Sequence, residues 1–349
     1  MLFIRPVVER RVLIPSGAGS PGFGGIIECL RMETGMAIYA GDMQERAYGY
    51  KLADGYVKMP PSSDSTYLKA VISAARAFNC STILPITTRE LVPLSSGLDL
   101  LQAAGLNIAI SPLKGLLVAN NKAHLYDFMR DKNLPVVLYE KATKKGEFLH
   151  QIKKMAGDNK TVIIKPSEGN GSRGFRIVIP KAKMQELYFN SKAGSLYTTI
   201  ASLEADLPEI FPSEMMVCEY LPGAEYSVDM LVNRGKTIIH TIREREKTVS
   251  GISVRGTFID DEEISRICRL LASNLDLHGP IGMQFKRDEK GNAKILEINP
   301  RLQGAVSTAV FAGINFPLLA VKLANNEDIL LPEYKKGVSF NRYWKDIQE

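Results

Sequence analysis

The first part of the chain alternates short apolar stretches with helical stretches, and this alternation restricts the fold more than any other feature. Strands are predicted at 11–15, 36–39, 81–85 and 104–110, with helices at 25–33 and 65–78 between them. Strands that alternate with helices at this spacing form a parallel sheet with crossover helices. The sequence therefore predicts an N-terminal α/β domain, residues 1–115.

After residue 112 the pattern changes to longer strands with fewer helices. The expected elements are helix 119–132, strands 135–139, 161–166 and 175–179, a polar connection 191–209, strands 215–220, 226–232 and 237–243, helix 260–275, strands 279–286 and 294–298, and helix 306–325. A glycine-dense polar loop, 167–174, joins two strands, whereas a Rossmann nucleotide turn joins a strand to a helix. We predict two α+β lobes here, residues 116–210 and 211–349.

The composition is typical of a globular protein with a substantial core. Of the 349 residues, 45% are hydrophobic and 23% are charged. No apolar run reaches the ~18 residues that a membrane span requires. Charges at Arg5, Glu9, Arg10 and Arg11 interrupt the N-terminal segment, unlike a signal peptide. We expect a cytoplasmic protein that has no membrane partner.

The cysteines and the charge pattern narrow the classes of partner. Cys29, Cys80, Cys218 and Cys268 are too far apart for a zinc-binding pair or a compact disulfide framework, so we expect reduced, structural cysteines. The net charge of +6 comes from mixed-sign stretches without a basic arm, so no nucleic-acid partner is expected. A mild positive excess suits an anionic small molecule. A homodimer is left open.

A glycine-rich loop follows the first predicted strand. Gly17, Gly19 and Gly22 form GxGxxG between a strand and a helix, and Asp42 follows the next strand, as in a dinucleotide-binding fingerprint. Pro21 removes one amide from the loop, and no residue set typical of a dehydrogenase accompanies it. These features favour an anion or the acceptor substrate, bound by Gly19 and Asp42, over NAD and over a plain structural turn.

The most informative polar residues lie between positions 282 and 301. Glu297 and Asn299 are two apart on a predicted strand and therefore point to one face, and Gln284 lies on the preceding strand. Their oxygens are hard ligands that suit Mg²⁺, whose other positions phosphates and water can fill. Arg301 follows on the same face, where it can contact a transferring phosphoryl group. This pattern predicts a metal–phosphate site, with a solvated hairpin as the plainer alternative.

The segment NAKILEINPRLQGAVSTAVFAGINFPLLAVKLA resembles the metal-binding and closing segment of the ATP-grasp superfamily. It is nearest to the large subunit of carbamoyl-phosphate synthetase and its single-copy relatives. The resemblance runs from about residue 112 to residue 325, and more weakly over the N-terminal domain. It implies an ATP-grasp fold after a Rossmann-like pre-ATP-grasp domain, with ATP and Mg²⁺ as cofactors and Mn²⁺ as the alternative ion.

The same resemblance assigns roles to residues that match the family's motifs in order. It implies metal ligation by Gln284, Glu297 and Asn299 and catalytic contacts by Arg301 and Lys165. Nucleotide-binding residues are implied at Lys122, Lys165, Ser172, Gly174, Glu219, Tyr220, Leu221, Glu225 and Gln284, with the phosphates at the lysines and the flap, adenine at 219–221 and ribose at 225. Arg173, inside the flap, is a further phosphate candidate.

The chain departs from carbamoyl-phosphate synthetases in two respects. It carries one such half rather than two, and Gly304 stands where that family places a second arginine. The acceptor pocket is therefore expected to differ. Arg243, Arg245 and Arg255 are candidates for binding a substrate carboxylate, because guanidinium groups form bidentate contacts; a solvated surface role is the alternative.

These observations predict an ADP-forming carboxylate–amine ligase that activates a small-molecule carboxylate as an acyl phosphate and joins it to an amine. Phosphorylation of bicarbonate or carbamate is the alternative function. An NAD-dependent oxidoreductase is a weaker alternative. A non-catalytic ATP-binding regulator is disfavoured by the full set of polar residues at 284, 297, 299 and 301.

Overall fold

The computed structural model describes residues 10–157, 160–169, 173–190 and 196–348, which form three β-sheets and their helices. The predicted mixed α/β class is confirmed. The chain divides into two compact units: unit 1 contains Met1–Ala119, Tyr226–Gln284 and Ile298–Glu349, and unit 2 contains Asn120–Glu225 and Phe285–Glu297. The three consecutive domains, 1–115, 116–210 and 211–349, stay a prediction.

The N-terminal sheet lies in unit 1 and is parallel, as predicted, with the strand order β3-β2-β1-β4-β5. Its central strand is buried on both faces, because Val12, Leu13 and Ile14 are all fully enclosed. The elements are β1 (Arg10–Ile14), α1 (Phe23–Arg31), β2 (Met36–Asp42), a 3₁₀ turn (Tyr48–Lys51), β3 (Gly55–Lys58), α2 (Tyr67–Ala77), β4 (Thr82–Ile83), α3 (Thr88–Ser96), α4 (Leu98–Ala103), β5 (Asn107–Ile108) and α5 (Leu113–Asn120).

The second sheet lies in unit 2 and has the order β6-β10-β7-β8-β9. Its pairs are antiparallel except β8 with β9. The elements are α6 (Lys122–Asp131), β6 (Tyr139–Lys144), α7 (Lys145–Ala156), β7 (Val162–Pro166), β8 (Arg176–Val178), α8 (Lys181–Asn190), β9 (Tyr197–Thr198), α9 (Ile200–Asp206) and β10 (Ile210–Glu219). The strand predicted at 135–139 is therefore displaced toward the C-terminus.

The third sheet has the order β15-β14-β11-β12-β13-β16. Its strands and helices are β11 (Glu225–Asn233), β12 (Lys236–Val249), β13 (Ile252–Ile259), α10 (Glu262–Asn274), β14 (Gly279–Arg287), β15 (Ala293–Asn299), a 3₁₀ helix (Val306–Ala312), α11 (Phe316–Ala324) and β16 (Ser339–Asn341). Asp261 caps α10 by accepting a hydrogen bond from the amide of Ile264.

The single helix predicted at 306–325 is wrong. The 3₁₀ helix and α11 meet at an angle of 104°. Gly313 lies between them with φ +92°, a conformation that glycine adopts at little cost, and the side chain of Asn315 then caps α11. Among the described residues no single helix is long and apolar enough to cross a membrane. The two helices of this bent pair reach the required length and apolar composition only when they are counted together.

Candidate active site

Lys122 opens α6 in unit 2, at the place where the resemblance implies a phosphate-binding cation. The side chain of Asn121 caps this helix by accepting from the amide of His124. The Lys122 ammonium lies 3.4 Å from a carboxylate oxygen of Glu297 and donates to the carbonyl of Gly169 at 2.7 Å. Burial lowers the pKa of Lys122, and the Glu297 carboxylate opposes that shift.

Lys165, the second predicted phosphate-binding cation, lies on β7 and is only 9% exposed. Its ammonium donates to the hydroxyl of Tyr126 at 2.9 Å and lies 5.0 Å from the centre of that ring. In the part of the chain that the structure describes, Lys165 has no carboxylate partner. A buried ammonium without a counter-ion is costly, so this position favours an anionic ligand.

The glycine-rich flap between β7 and β8 is described in part. Ser172, a predicted nucleotide-binding residue, lies outside the described residues. Gly169 and Gly174 have φ values of +108° and +72°, which side chains other than glycine rarely adopt. A Cβ on Gly174 would also come within 3.0 Å of Pro166. Arg173 is exposed, and its phosphate contact stays a prediction.

The segment that is predicted to receive adenine follows β10 in unit 2. The Glu219 carboxylate accepts from the amide of Leu138 at 2.8 Å, and the Glu219 amide donates to the Leu138 carbonyl at 3.0 Å. Tyr220 is partly exposed, with the Lys286 ammonium 5.4 Å from its ring centre, and Leu221 is buried. Glu225, the predicted ribose ligand, opens β11 and is half-buried. These four nucleotide contacts stay predictions.

The two predicted metal ligands of unit 1 each accept a hydrogen bond from an arginine. The side-chain oxygen of Gln284 on β14 accepts from Arg245 at 2.9 Å. The side-chain oxygen of Asn299 at the end of β15 accepts from Arg301 at 3.1 Å. Arg301 also donates to the hydroxyl of Thr88 at 3.0 Å. The amide oxygens are therefore held in place by guanidinium groups.

The chemistry of these ligands fits Mg²⁺ in one specific way. Among the described residues no group of three or more His, Cys, Asp or Glu side chains is arranged to hold a metal. Glu297 is the one carboxylate in the predicted set, and Gln284 and Asn299 add neutral oxygens. Mg²⁺ is commonly bound by one or two carboxylates together with phosphate oxygens. The metal-ligand role of these three residues stays a prediction.

The glycine-rich loop of unit 1 is held by bonds within the chain. The Asp42 carboxylate, 7% exposed, accepts from the amide of Gly19 at 2.8 Å and from that of Gln44 at 3.0 Å. The Tyr48 hydroxyl donates to the Ser20 carbonyl at 2.6 Å and accepts from the Gly24 amide. Asp42 thus holds the loop in place through backbone amides. These contacts give no support to the role of a dinucleotide ligand that the NAD alternative requires of Asp42.

The three arginines predicted to bind a substrate carboxylate each have a partner in the chain. Arg243 is 1% exposed and forms a 2.9 Å ion pair with the buried Asp229, and its substrate role stays a prediction. Arg245 donates to Gln284 and to the carbonyl of Gly251. Arg255 pairs with Glu246 at 2.7 Å on the surface.

Sequence reasoning missed two residues of interest. Tyr126 lies one turn after Lys122 on α6, and this spacing of four was the signal that could have revealed it. Arg342 follows β16 and donates to the carbonyl of Gly304 at 3.1 Å. Burial lowers the pKa of Arg342, and the positive charge of Arg243 adds to the shift. No spacing in the sequence connects Arg342 with Gly304.

Solved structures of ATP-grasp enzymes have a similar fold. The biotin carboxylase domain of 2-oxoglutarate carboxylase from Hydrogenobacter thermophilus is 18% identical, with a TM-score of 0.66 over 95% of this chain and 73% of that chain. N5-carboxyaminoimidazole synthetase from Staphylococcus aureus is 14% identical, with a TM-score of 0.66 over 95% and 81%. L-amino acid ligase from Bacillus licheniformis is 14% identical, with a TM-score of 0.61 over 91% and 73%.

The predicted ATP-grasp fold after an N-terminal domain is confirmed by these structures, and a family model shows an ATP-grasp domain in the C-terminal part of the chain. Residues 211–344 match the family described as ATP-grasp in the biosynthetic pathway with Ter operon. No curated protein sequence matches the chain. ATP and Mg²⁺, the predicted cofactors, are those of the class. The nearer resemblance to carbamoyl-phosphate synthetase stays a prediction.

Proposed function

We propose that this enzyme is an ADP-forming ligase that phosphorylates a carboxylate and transfers the acyl group to an amine. The proposal rests above all on the cluster of Lys122, Lys165 and Glu297 in unit 2. Both ammonium groups are largely buried: Lys122 pairs with the Glu297 carboxylate, whereas Lys165 contacts the neutral phenol of Tyr126 and no carboxylate among the described residues. This excess of buried positive charge suits the phosphates of a nucleotide.

Each side chain has a definite task in the proposed reaction. Lys122 and Lys165 bind the phosphates, and Gln284, Glu297 and Asn299 would hold Mg²⁺, which neutralises phosphate charge when bound. A carboxylate oxygen of the substrate attacks the γ-phosphorus, and the bond from that phosphorus to the bridging oxygen breaks, which releases ADP. The amine then attacks the acyl carbon, phosphate leaves and the amine loses a proton. Arg301 stabilises the negative charge of the acyl phosphate.

Arg342 is the residue of unit 1 that we assign to the substrate carboxylate. Its guanidinium donates to the Gly304 carbonyl, and within the described residues it forms no ion pair. Gly304 in turn lies against the glycine-rich loop, since a Cβ on Gly22 would be 3.0 Å from the Gly304 Cα. A half-buried arginine with a neutral partner and the like charge of Arg243 nearby is suited to a carboxylate.

Arg342→Gln is expected to raise the KM for the carboxylate about tenfold or more and to leave the KM for ATP within about twofold, because one charge-assisted bond is lost. Steady-state kinetics on the substrate found by the screen described next would test this. Arg269→Gln, in an exposed pair with Glu262, is the matched control and should change neither constant. Equal effects on both KM values would contradict the assignment.

The function itself is tested by product analysis. The protein is incubated with MgATP and with pools of amino acids, other carboxylates, amines or bicarbonate, and ADP, AMP and phosphate are measured. We expect ADP and phosphate only when a carboxylate and an amine are both present. AMP as the nucleotide product would contradict an acyl phosphate. ADP formation that depends on bicarbonate and needs no other carboxylate would favour the bicarbonate alternative. ADP formation in the absence of an amine would favour it as well.

A further inference from the structure

Tyr126 connects the strand that carries Lys165 with the strand that carries Glu297. The side chain is fully buried on α6. Its hydroxyl accepts a hydrogen bond from the Lys165 ammonium at 2.9 Å and donates one to the carbonyl of Leu296 at 2.9 Å. Leu296 immediately precedes Glu297 on β15. One phenol oxygen therefore contacts both β7 and β15 within unit 2.

The chemistry of a phenol suits this position. A tyrosine hydroxyl has one hydrogen, which goes to Leu296, so it serves Lys165 only as an acceptor. Burial raises the pKa of Tyr126 well above its usual value, and the nearby Cys218, Glu297 and Glu219 raise it further, so the phenol stays neutral. The phenol occupies one of the three N–H groups of Lys165, and the other two have no hydrogen-bond partner among the described residues, which leaves them for a ligand.

The helix that carries Tyr126 also carries Lys122. These residues are four apart and therefore lie on one face of α6. Lys122 contacts Glu297, and Tyr126 contacts the residue before Glu297 as well as Lys165. A flexible lysine side chain has many rotamers, so a fixed acceptor in the core restricts where its ammonium can lie.

We infer that the Tyr126 hydroxyl is a positioning group, which holds the Lys165 ammonium in place for the phosphates of the nucleotide and fixes it relative to the strand of Glu297. The inference rests on the proposed function, since it assigns the phosphates to Lys165. It goes beyond that function because Tyr126 acts through Lys165 and touches no substrate.

The test is a double-mutant cycle on nucleotide affinity. Isothermal titration calorimetry measures MgADP and adenosine binding to the wild type, Tyr126→Phe, Lys165→Met and the double variant. Tyr126→Phe should weaken MgADP about tenfold, the effect of losing one hydrogen bond to a charged group, and leave adenosine affinity within about twofold. In the Lys165→Met background the tyrosine substitution should have no further effect on MgADP.

Tyr139→Phe is the matched control. Tyr139 packs edge-on against Tyr126 with ring centres 5.3 Å apart, but its hydroxyl donates to Asp127. This variant should bind MgADP as the wild type does. The inference is overturned if Tyr126→Phe binds MgADP as tightly as the wild type or Tyr139→Phe does, or if it weakens adenosine binding as much as MgADP binding. It is also overturned if the loss of MgADP affinity adds to that of Lys165→Met, or if the Tyr126→Phe protein does not fold. A wild type that binds no nucleotide would instead overturn the proposed function.

Discussion

Glu297→Gln is expected to lower the rate of ADP formation by about 100-fold or more and to leave the protein folded. Glu297 is the one carboxylate among the three predicted metal ligands, and an amide in its place removes the negative charge that an ion would meet. The Lys122 ammonium would at the same time lose its ion-pair partner at 3.4 Å. Stopped assays of ADP, together with circular dichroism, measure both parts of this prediction.

Glu209→Gln is the control for this variant. Glu209 also pairs with a lysine in unit 2, at 3.3 Å from Lys145, but its side chain is mostly exposed. The same chemical change at this exposed pair should leave turnover within about twofold, because surface ion pairs contribute little. If Glu297→Gln retained wild-type turnover, Glu297 would not be a metal ligand.

Asp229→Asn is expected to lower the free energy of unfolding by about 3 kcal/mol or more, because it leaves a buried cation without its counter-charge. Asp229 and Arg243 are both almost completely buried and lie 2.9 Å apart. Gln303 donates to the second oxygen of Asp229 at 2.9 Å, and Arg243 also donates to Thr308. The loss would be measured by urea unfolding followed by circular dichroism.

Two further variants separate the buried pair from a general effect of charge. Asp260→Asn, in an exposed pair with Lys336 at 2.5 Å, should cost less than about 1 kcal/mol. Adding Arg243→Met to Asp229→Asn should restore part of the lost stability, since the uncompensated cation is then removed. A loss below about 1 kcal/mol for Asp229→Asn would mean that water or another group compensates Arg243.

Four of the five strands of the N-terminal sheet could be predicted because their local pattern is clear, whereas β3 was missed. The stretch around Val12–Ile14 is apolar throughout, and glycine or proline marks the ends of the strands. The helix at 306–325 was predicted as one element although Gly313 and Pro317 are helix breakers, because the stretch is apolar on both sides of them. The strand 252–259, the helix 145–156 and the elements within 196–206 were missed, because local propensity there is weak and packing determines the structure.

In the candidate site, the sequence located several candidate residues but did not reveal which residues they contact. Motif order located Lys122, Lys165 and Glu297, and the structure brings Lys122 and Glu297 together as an ion pair. Partners distant in sequence could not be read from spacing. The burial of Arg243 against Asp229 depends on the register of β11 with β12, in which Asp229 lies opposite Thr241. The charged run RERE at 243–246 is typical of an exposed segment, and its sequence does not reveal that Arg243 is buried.

The contact between Gly22 and Gly304 couples two positions that are distant in the sequence. A Cβ on Gly22 would come within 3.0 Å of the backbone of residue 304, and a Cβ on Gly304 would lie 3.1 Å from the end of the Ile252 side chain, which would have to shift by a few tenths of an ångström. An arginine at 304, such as carbamoyl-phosphate synthetases are expected to have, would need a smaller residue at 252. Glycine at 304 leaves this space to the loop, and its carbonyl accepts a hydrogen bond from the guanidinium of Arg342.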